Sequence, residues 1–390
     1  MRSEPYFHLL GLPMGPPQFV AAFLLLCFLA QCAVLSATTE SVGLLQPGFF
    51  VHPKTPGAPI VGILAGVAIT FGRMVGLGDI ASQLAKLPFI AIGLLLGASI
   101  WYVARRLYGN PGGIAALLLY CFSPMPFVSV SMNPIPVAAL GMFGVIFVSI
   151  AVSHTLYAPA RSSMWGEIRQ RWRRVAMLGT AIALMAGAAP ELSFMVLVAL
   201  AMMFYLVPHR RGAALGLMAS GLAVAIAILV VIAGPRWFAE TDFSPFAGWS
   251  APHFVVHTSV AAASWTLMTI AAASAGVYLA SRRSRYFGNT APLLATALTL
   301  VLGLPSSGDA YLGPFPAWSL PLLFVFVGGI FADLAETSWR RPAVLVFVVL
   351  AASLATLELL AVAQHPWGRR QELPPPPGVR RIRIGTGVLL

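Results

Sequence analysis

An all-α, polytopic membrane protein is what this chain predicts, and three features carry the prediction. Apolar windows of helix length recur from end to end, as a bilayer core about 30 Å thick requires of spans near 20 residues. Hydrophobic side chains make up 58% of the 390 residues and charged ones 9%, with a mean hydropathy of +0.85; a soluble domain carries about a quarter charged residues. The arginines sit between the apolar runs, so the net charge of +12 marks topology and not a nucleic-acid partner. Cys27, Cys32 and Cys121 lie within apolar runs and read as core thiols, with neither a disulfide framework nor metal-ligand spacing.

In chain order, the spans fall near residues 17–37, 87–104, 112–129, 135–157, 175–189, 191–207, 213–234, 255–280, 290–305, 317–336 and 342–363. The first apolar run is too long for a cleaved signal peptide and has only Arg2 before it, so it predicts a retained span. The run 60–72 is shorter, bounded by Pro59 and Gly72 and followed by Arg73, Asp79 and Lys86, which predicts an interfacial or re-entrant helix on the outer face. With that helix outside, the inner connections collect Arg105, Arg106, Arg161, Arg169, Arg171, Arg173, Arg174, Arg210, Arg211, Arg282, Arg283, Arg285, Arg340 and Arg341. The outer loops keep only Lys54, Arg73, Lys86 and Arg236. Positive charge on the inside therefore gives about eleven spans, a cytoplasmic N-terminus and an outer C-terminus. The stretch from Arg161 to Arg174, with Trp165 and Trp172, reads as a basic segment at the anionic inner leaflet. Residues 1–364 form the transmembrane domain, and 365–390, around Pro374–Pro377, read as an extended, disordered tail.

The block from His52 to Pro136 carries a sequence of words: His52-Pro53-Lys54-Thr55-Pro56, Lys86-Leu87-Pro88, Arg105-Arg106-Leu107-Tyr108-Gly109 and Ser123-Pro124. In this order they resemble the GT-C glycosyltransferases that use lipid-linked sugars, nearest to the protein mannosyltransferase, lipid A aminoarabinose transferase and bacterial lipopolysaccharide branches. Gly179–Pro208 looks like the later helical hairpin of that superfamily. The resemblance implies a GT-C-like fold in a bacterial inner membrane, and transfer of a sugar from a polyprenyl-phosphate donor to a lipid, glycan or protein acceptor on the outer face. It implies no cofactor and leaves the metal requirement open. Two acidic positions of the superfamily are altered. The one after the first span is represented by Glu40 alone, and the stretch from Met132 to Pro136 has no acid. A non-catalytic relative that binds or moves lipid-linked sugars is the second reading.

Sugar transfer from a lipid phosphate needs a carboxylate to take the acceptor's proton and cations to steady the leaving phosphate. Glu40, the acid of the first outer loop, is the candidate base. Lys54, Arg73 and Lys86 are the cations of that region and the candidates for the donor phosphate, with Lys86 in the place of the superfamily's Arg before Leu-Pro. His52, Arg236, Glu240, Asp242 and His253 mix charge with aromatics in two outer loops and are candidates for substrate contact. Glu191, directly after Pro190, reads as an acid at the positive end of a helix.

Overall fold

A computed structural model describes residues 7–9, 12–38, 59–76, 81–130, 134–156, 164–241, 243, 258–281, 292–297, 311–312 and 315–364. Glu40, His52, Lys54, Asp242, His253 and the tail 365–390 lie outside the described residues. The helices are α1 (Pro16–Thr38), α2 (Pro59–Met74), α3 (Ala81–Leu84), α4 (Leu87–Cys121), α5 (Met125–Val130), α6 (Ile135–Thr155), α7 (Met164–Gln170) and α8 (Trp172–Ala188). After a 3-10 turn at Pro190–Phe194 come α9 (Met195–Leu206), α10 (Arg211–Ala233), α11 (Pro235–Glu240) and α12 (Thr258–Ser281). Residues 292–297 form α13, followed by α14 (Leu320–Ala335) and α15 (Arg340–Gln364). Two short hairpins pair Phe7–Leu9 with Leu12–Met14 and Tyr311–Leu312 with Phe315–Pro316.

Six stretches of the described residues are long and apolar enough to cross a bilayer: Pro16–Ala37, Leu87–Cys121, Ile135–Thr155, Pro208–Ala233, Ala317–Ala335 and Arg340–Leu357. Shorter apolar helices occupy Pro59–Met74, Pro190–Leu206 and Thr266–Leu279. Leu87–Cys121 is not one rod. Gly109 has φ 77 and ψ −173, a backbone region open essentially to glycine alone, and Pro111 follows two residues later. The Tyr120 hydroxyl donates to the Gly93 carbonyl at 2.6 Å, whereas a straight helix would hold residues 27 apart by about 40 Å. α4 therefore folds back at Gly109 into two antiparallel limbs, which accounts for the separate spans predicted at 87–104 and 112–129.

Small residues let these limbs and their neighbours approach closely, as helix association in lipid favours. A Cβ on Gly97 would lie 2.8 Å from the Tyr120 ring, and one on Gly93 would lie 3.0 Å from Phe28 of α1. Phe28 stacks on Tyr120 with centroids 5.3 Å apart. Gly112 and Gly328 meet backbone to backbone where α14 runs antiparallel to the second limb, with Phe324 edge-on to Tyr120. Gly141 of α6 sits against the Ala181 and Met185 backbone of α8. α6 and α14 form the buried centre, and α1 and α15 present exposed apolar side chains such as Phe23, Leu26, Leu345 and Val349 to the surroundings.

The contacts also sort the helix ends. Ser36 and Lys86 mark one end, called distal here, together with the starts of α6 and α14 and the ends of α8 and α10. The opposite, proximal end carries Arg105, Arg106, Arg171, Arg174, Arg210, Arg211, Arg340 and Arg341. Three of these guanidiniums donate to the last carbonyls of α6: Arg171 to Thr155 at 3.0 Å, Arg174 to Ala151 at 3.4 Å and Arg210 to Leu156 at 3.4 Å. Cations at a helix C-terminus satisfy carbonyls that have no partner within the helix.

Candidate functional site

Of the predicted site residues within the described fold, Lys86, Arg236 and Glu240 lie toward the distal end, in two separate groups. The first is built around Lys86, which precedes α4 and is 2% exposed. Its Nζ donates to the Ser36 carbonyl in the last turn of α1 at 3.2 Å, and the Ser36 hydroxyl donates to Gln83 Oε1 at 3.1 Å. Burial pulls the Lys86 ammonium below the usual lysine range. The side chain thus sits on the negative end of α1 and not in an open cleft. Ser36 is four residues before Glu40, so this contact fixes the root of the chain segment that carries the candidate base.

The second group forms where α8 and α10 end. These helices run parallel, with Gly179 of α8 against Gly221 and Val224 of α10, and Gly187 against Leu229. Because both run the same way, the 3-10 turn Pro190–Phe194 and α11 both follow at the distal end. Ile60, the second residue of α2, packs on Gly187 between them. The segment containing His52 and Lys54 therefore re-enters the described fold at this corner, through Pro59.

Glu191 and Ser193 lie on the turn that follows α8, and Arg236, Trp237 and Glu240 lie on α11, with Thr241 directly after it. Arg236 and Glu240 are exposed and Glu191 is half-buried. Trp237 packs edge-on to Phe238 and Phe243, with centroids 5.1 and 5.5 Å away. Arg73 does not belong to this corner. It lies at the far end of α2, 13 residues from Ile60, about 20 Å along the helix axis. Among the described residues, no three His, Cys, Asp or Glu side chains stand together as metal ligands.

The burial of Trp237 at the end of α10 was not legible from the sequence. A tryptophan between apolar spans reads as an interface anchor, and lone hydroxyls at helix ends read as caps. The only available signal was the density of RWFAETDF, where three rings and three charges share eight residues.

No family model matches this chain, and no curated protein matches it. Solved structures do. The apo form of the Archaeoglobus fulgidus oligosaccharyltransferase superposes with a TM-score of 0.50 at 12% identity, over 90% of this chain and 56% of that one. The same enzyme tethered through a disulfide bond to an acceptor peptide containing the NVT sequon gives a TM-score of 0.51 at 12% identity, over 88% and 55%. At this identity the likeness is one of fold alone, the helical membrane architecture of that oligosaccharyltransferase. The chain spans about half the length of the oligosaccharyltransferase it resembles.

Proposed function

We propose that this protein is a membrane glycosyltransferase that moves a sugar from a polyprenyl-phosphate donor to a lipid, glycan or protein acceptor. The likeness to the oligosaccharyltransferase fold over nine-tenths of the chain is the observation that carries this reading. The arginine-rich proximal end supports an orientation in which that end faces the cytoplasm and the distal end faces outward, in a bacterial inner membrane. The N-terminus is then cytoplasmic and the C-terminus outside.

In this reading Glu40 takes the proton of the acceptor hydroxyl or amine as that atom attacks the anomeric carbon. The bond from that carbon to the lipid phosphate breaks, and its electron pair leaves with the phosphate. Lys54, Arg73 and Lys86 offset the growing negative charge, Lys86 from its buried place at the end of α1. Asp242, His253 and His52, with Arg236 and Glu240, contact the sugar and acceptor. The test is turnover of an undecaprenyl-phosphate sugar by purified protein. Transfer by the wild type and its loss in Glu40→Gln are the expected results; full activity in that variant removes Glu40 from the chemistry.

The absence of an acid between Ser123-Pro124 and Pro136 favours one second reading, a relative that binds or moves lipid-linked sugars without turnover. Tight donor binding with no transfer, unchanged in Glu40→Gln, is the result that selects it.

A further inference from the structure

We propose that the arginine corner of the proximal end, where α6 stops and α8 and α10 begin, is a docking surface for the phosphate of an anionic phospholipid. The inference goes beyond the glycosyl-donor reading and stands apart from the chemistry of the distal end.

Contacts join this corner from separate parts of the chain. Arg171, at the joint between α7 and α8, donates to both the hydroxyl and the carbonyl of Thr155 at 3.0 Å. Arg174, in the first turn of α8, reaches the Ala151 carbonyl, and Arg210, just before α10, reaches the Leu156 carbonyl, both at 3.4 Å. Three guanidiniums thus converge on the last turns of α6. α7 also packs on α10, which closes the corner. Arg173, 5.6 Å from the Trp172 ring centroid, and Arg211 adjoin these arginines in sequence, and both are exposed.

The charge balance selects an anion. Residues 164–174 and 207–212 hold six arginines and one acid, Glu167. α8 and α10 both start here, with no acid in either first turn and no side-chain cap, so the arginines add to two positive helix ends. The negative end of α6 offsets part of that charge, and His154 and His209 add no negative charge. A guanidinium presents five N–H donors in a planar fork that fits phosphate oxygens. The contacts with α6 hold three such forks in place before a ligand arrives, which lowers the ordering cost of binding.

The apolar neighbours select a lipid over a soluble polyanion. Met177 lies one turn beyond Arg173 and Leu215 one turn beyond Arg211, and both are exposed, as are Trp172 and Tyr205. Charge at the rim with bare apolar side chains one turn deeper matches a phospholipid, whose phosphate sits above its acyl chains. Elsewhere on the proximal end, Arg105 lies over the Trp101 ring of its own helix, and Arg340 and Arg341 open the outlying helix α15.

The test is native mass spectrometry of the full-length protein in detergent, with phosphatidylglycerol and zwitterionic phosphatidylcholine as probes. Phosphatidylglycerol should bind about 25-fold tighter, about fivefold for each of two arginines on the phosphate. Arg174→Gln combined with Arg211→Gln should remove most of that preference and leave phosphatidylcholine binding unchanged, which also shows that the variant is folded. Arg340→Gln combined with Arg341→Gln, on α15, should keep the preference. Equal binding of the two lipids by the wild type overturns the proposal. So does a preference that survives in the Arg174 and Arg211 variant. An equal loss in the α15 variant overturns it too, because the preference then comes from a diffuse field over the whole proximal end.

Discussion

Replacing Gly141 with alanine tests the closest helix contact in the bundle. A Cβ at that position would overlap the backbone nitrogen of Met185 and would lie 2.8 Å from the Ala181 carbonyl oxygen and from the Met185 Cα. Carbon contacts prefer about 3.5–4.0 Å, so α6 and α8 must separate by about 1 Å. The obstacle is backbone, which cannot rotate away as a side chain can. Overpacking of this kind costs about 3 kcal/mol, and alanine's better helix propensity returns about 1 kcal/mol. The net loss of about 2 kcal/mol is roughly a 30-fold shift in the unfolding equilibrium. Gly66→Ala is the matched control, because a Cβ there meets nothing within 4 Å and only the propensity gain remains. Unfolding of both variants in an SDS titration, followed by circular dichroism, gives the comparison. A Gly141→Ala midpoint equal to or above that of Gly66→Ala refutes the packing of α6 on α8.

Three further outcomes follow from the same geometry. Gly109→Ala should lower stability by about 1–3 kcal/mol, the strain of a side chain in a glycine-only backbone region, whereas Gly212→Ala, open on all sides, should not; equal thermal midpoints would refute the reversal at Gly109. Burial lowers the folded-state pKa of Lys86, so the unfolded chain binds more protons between that value and the ordinary lysine value of about 10.4. Stability should therefore rise with pH across that window and Lys86→Met should flatten the rise, read as the difference in midpoint against pH; an identical slope in both proteins would remove the buried ammonium. In a background free of cysteine, an impermeant maleimide on intact cells should label Arg236→Cys, but reach Arg211→Cys and Arg340→Cys only after permeabilisation. The opposite pattern reverses the orientation.

Local signals made much of the helical frame readable. Arg105-Arg106 stop one apolar run, Gly109 and Pro111 break the backbone, and both limbs of α4 follow from those four positions. Ser123-Pro124 likewise falls between the end of α4 at Cys121 and the start of α5 at Met125. What stayed hidden depends on residues far apart in sequence. Lys86 reads as an outer-loop cation at a span end, yet its ammonium is directed by a carbonyl 50 residues earlier. Glu191 and Trp237 follow the ends of two helices, α8 and α10, that run side by side where Gly179 and Gly221 allow close approach, a pairing that no periodicity encodes.

That packing bears on how a base and a cation carried by a loop can act together. Twenty residues separate Thr38, which ends α1, from Pro59, which starts α2, and they include Glu40, His52 and Lys54. Both roots of this segment are held by contacts within the fold, the first by Lys86 on the Ser36 carbonyl and the second by Ile60 on Gly187. Glu40 lies two residues past the first root and Lys54 five before the second. A catalytic pair needs placement within about an ångström, so the contacts that fix where the segment begins and ends bear on both candidates. Loss of either root should thus act first on the candidate nearer to it. If the glycosyltransferase reading holds, Gly187→Leu, which displaces Ile60, should act through the Lys54 side and weaken donor binding. Lys86→Met acts at the other root and should depress turnover more than donor affinity.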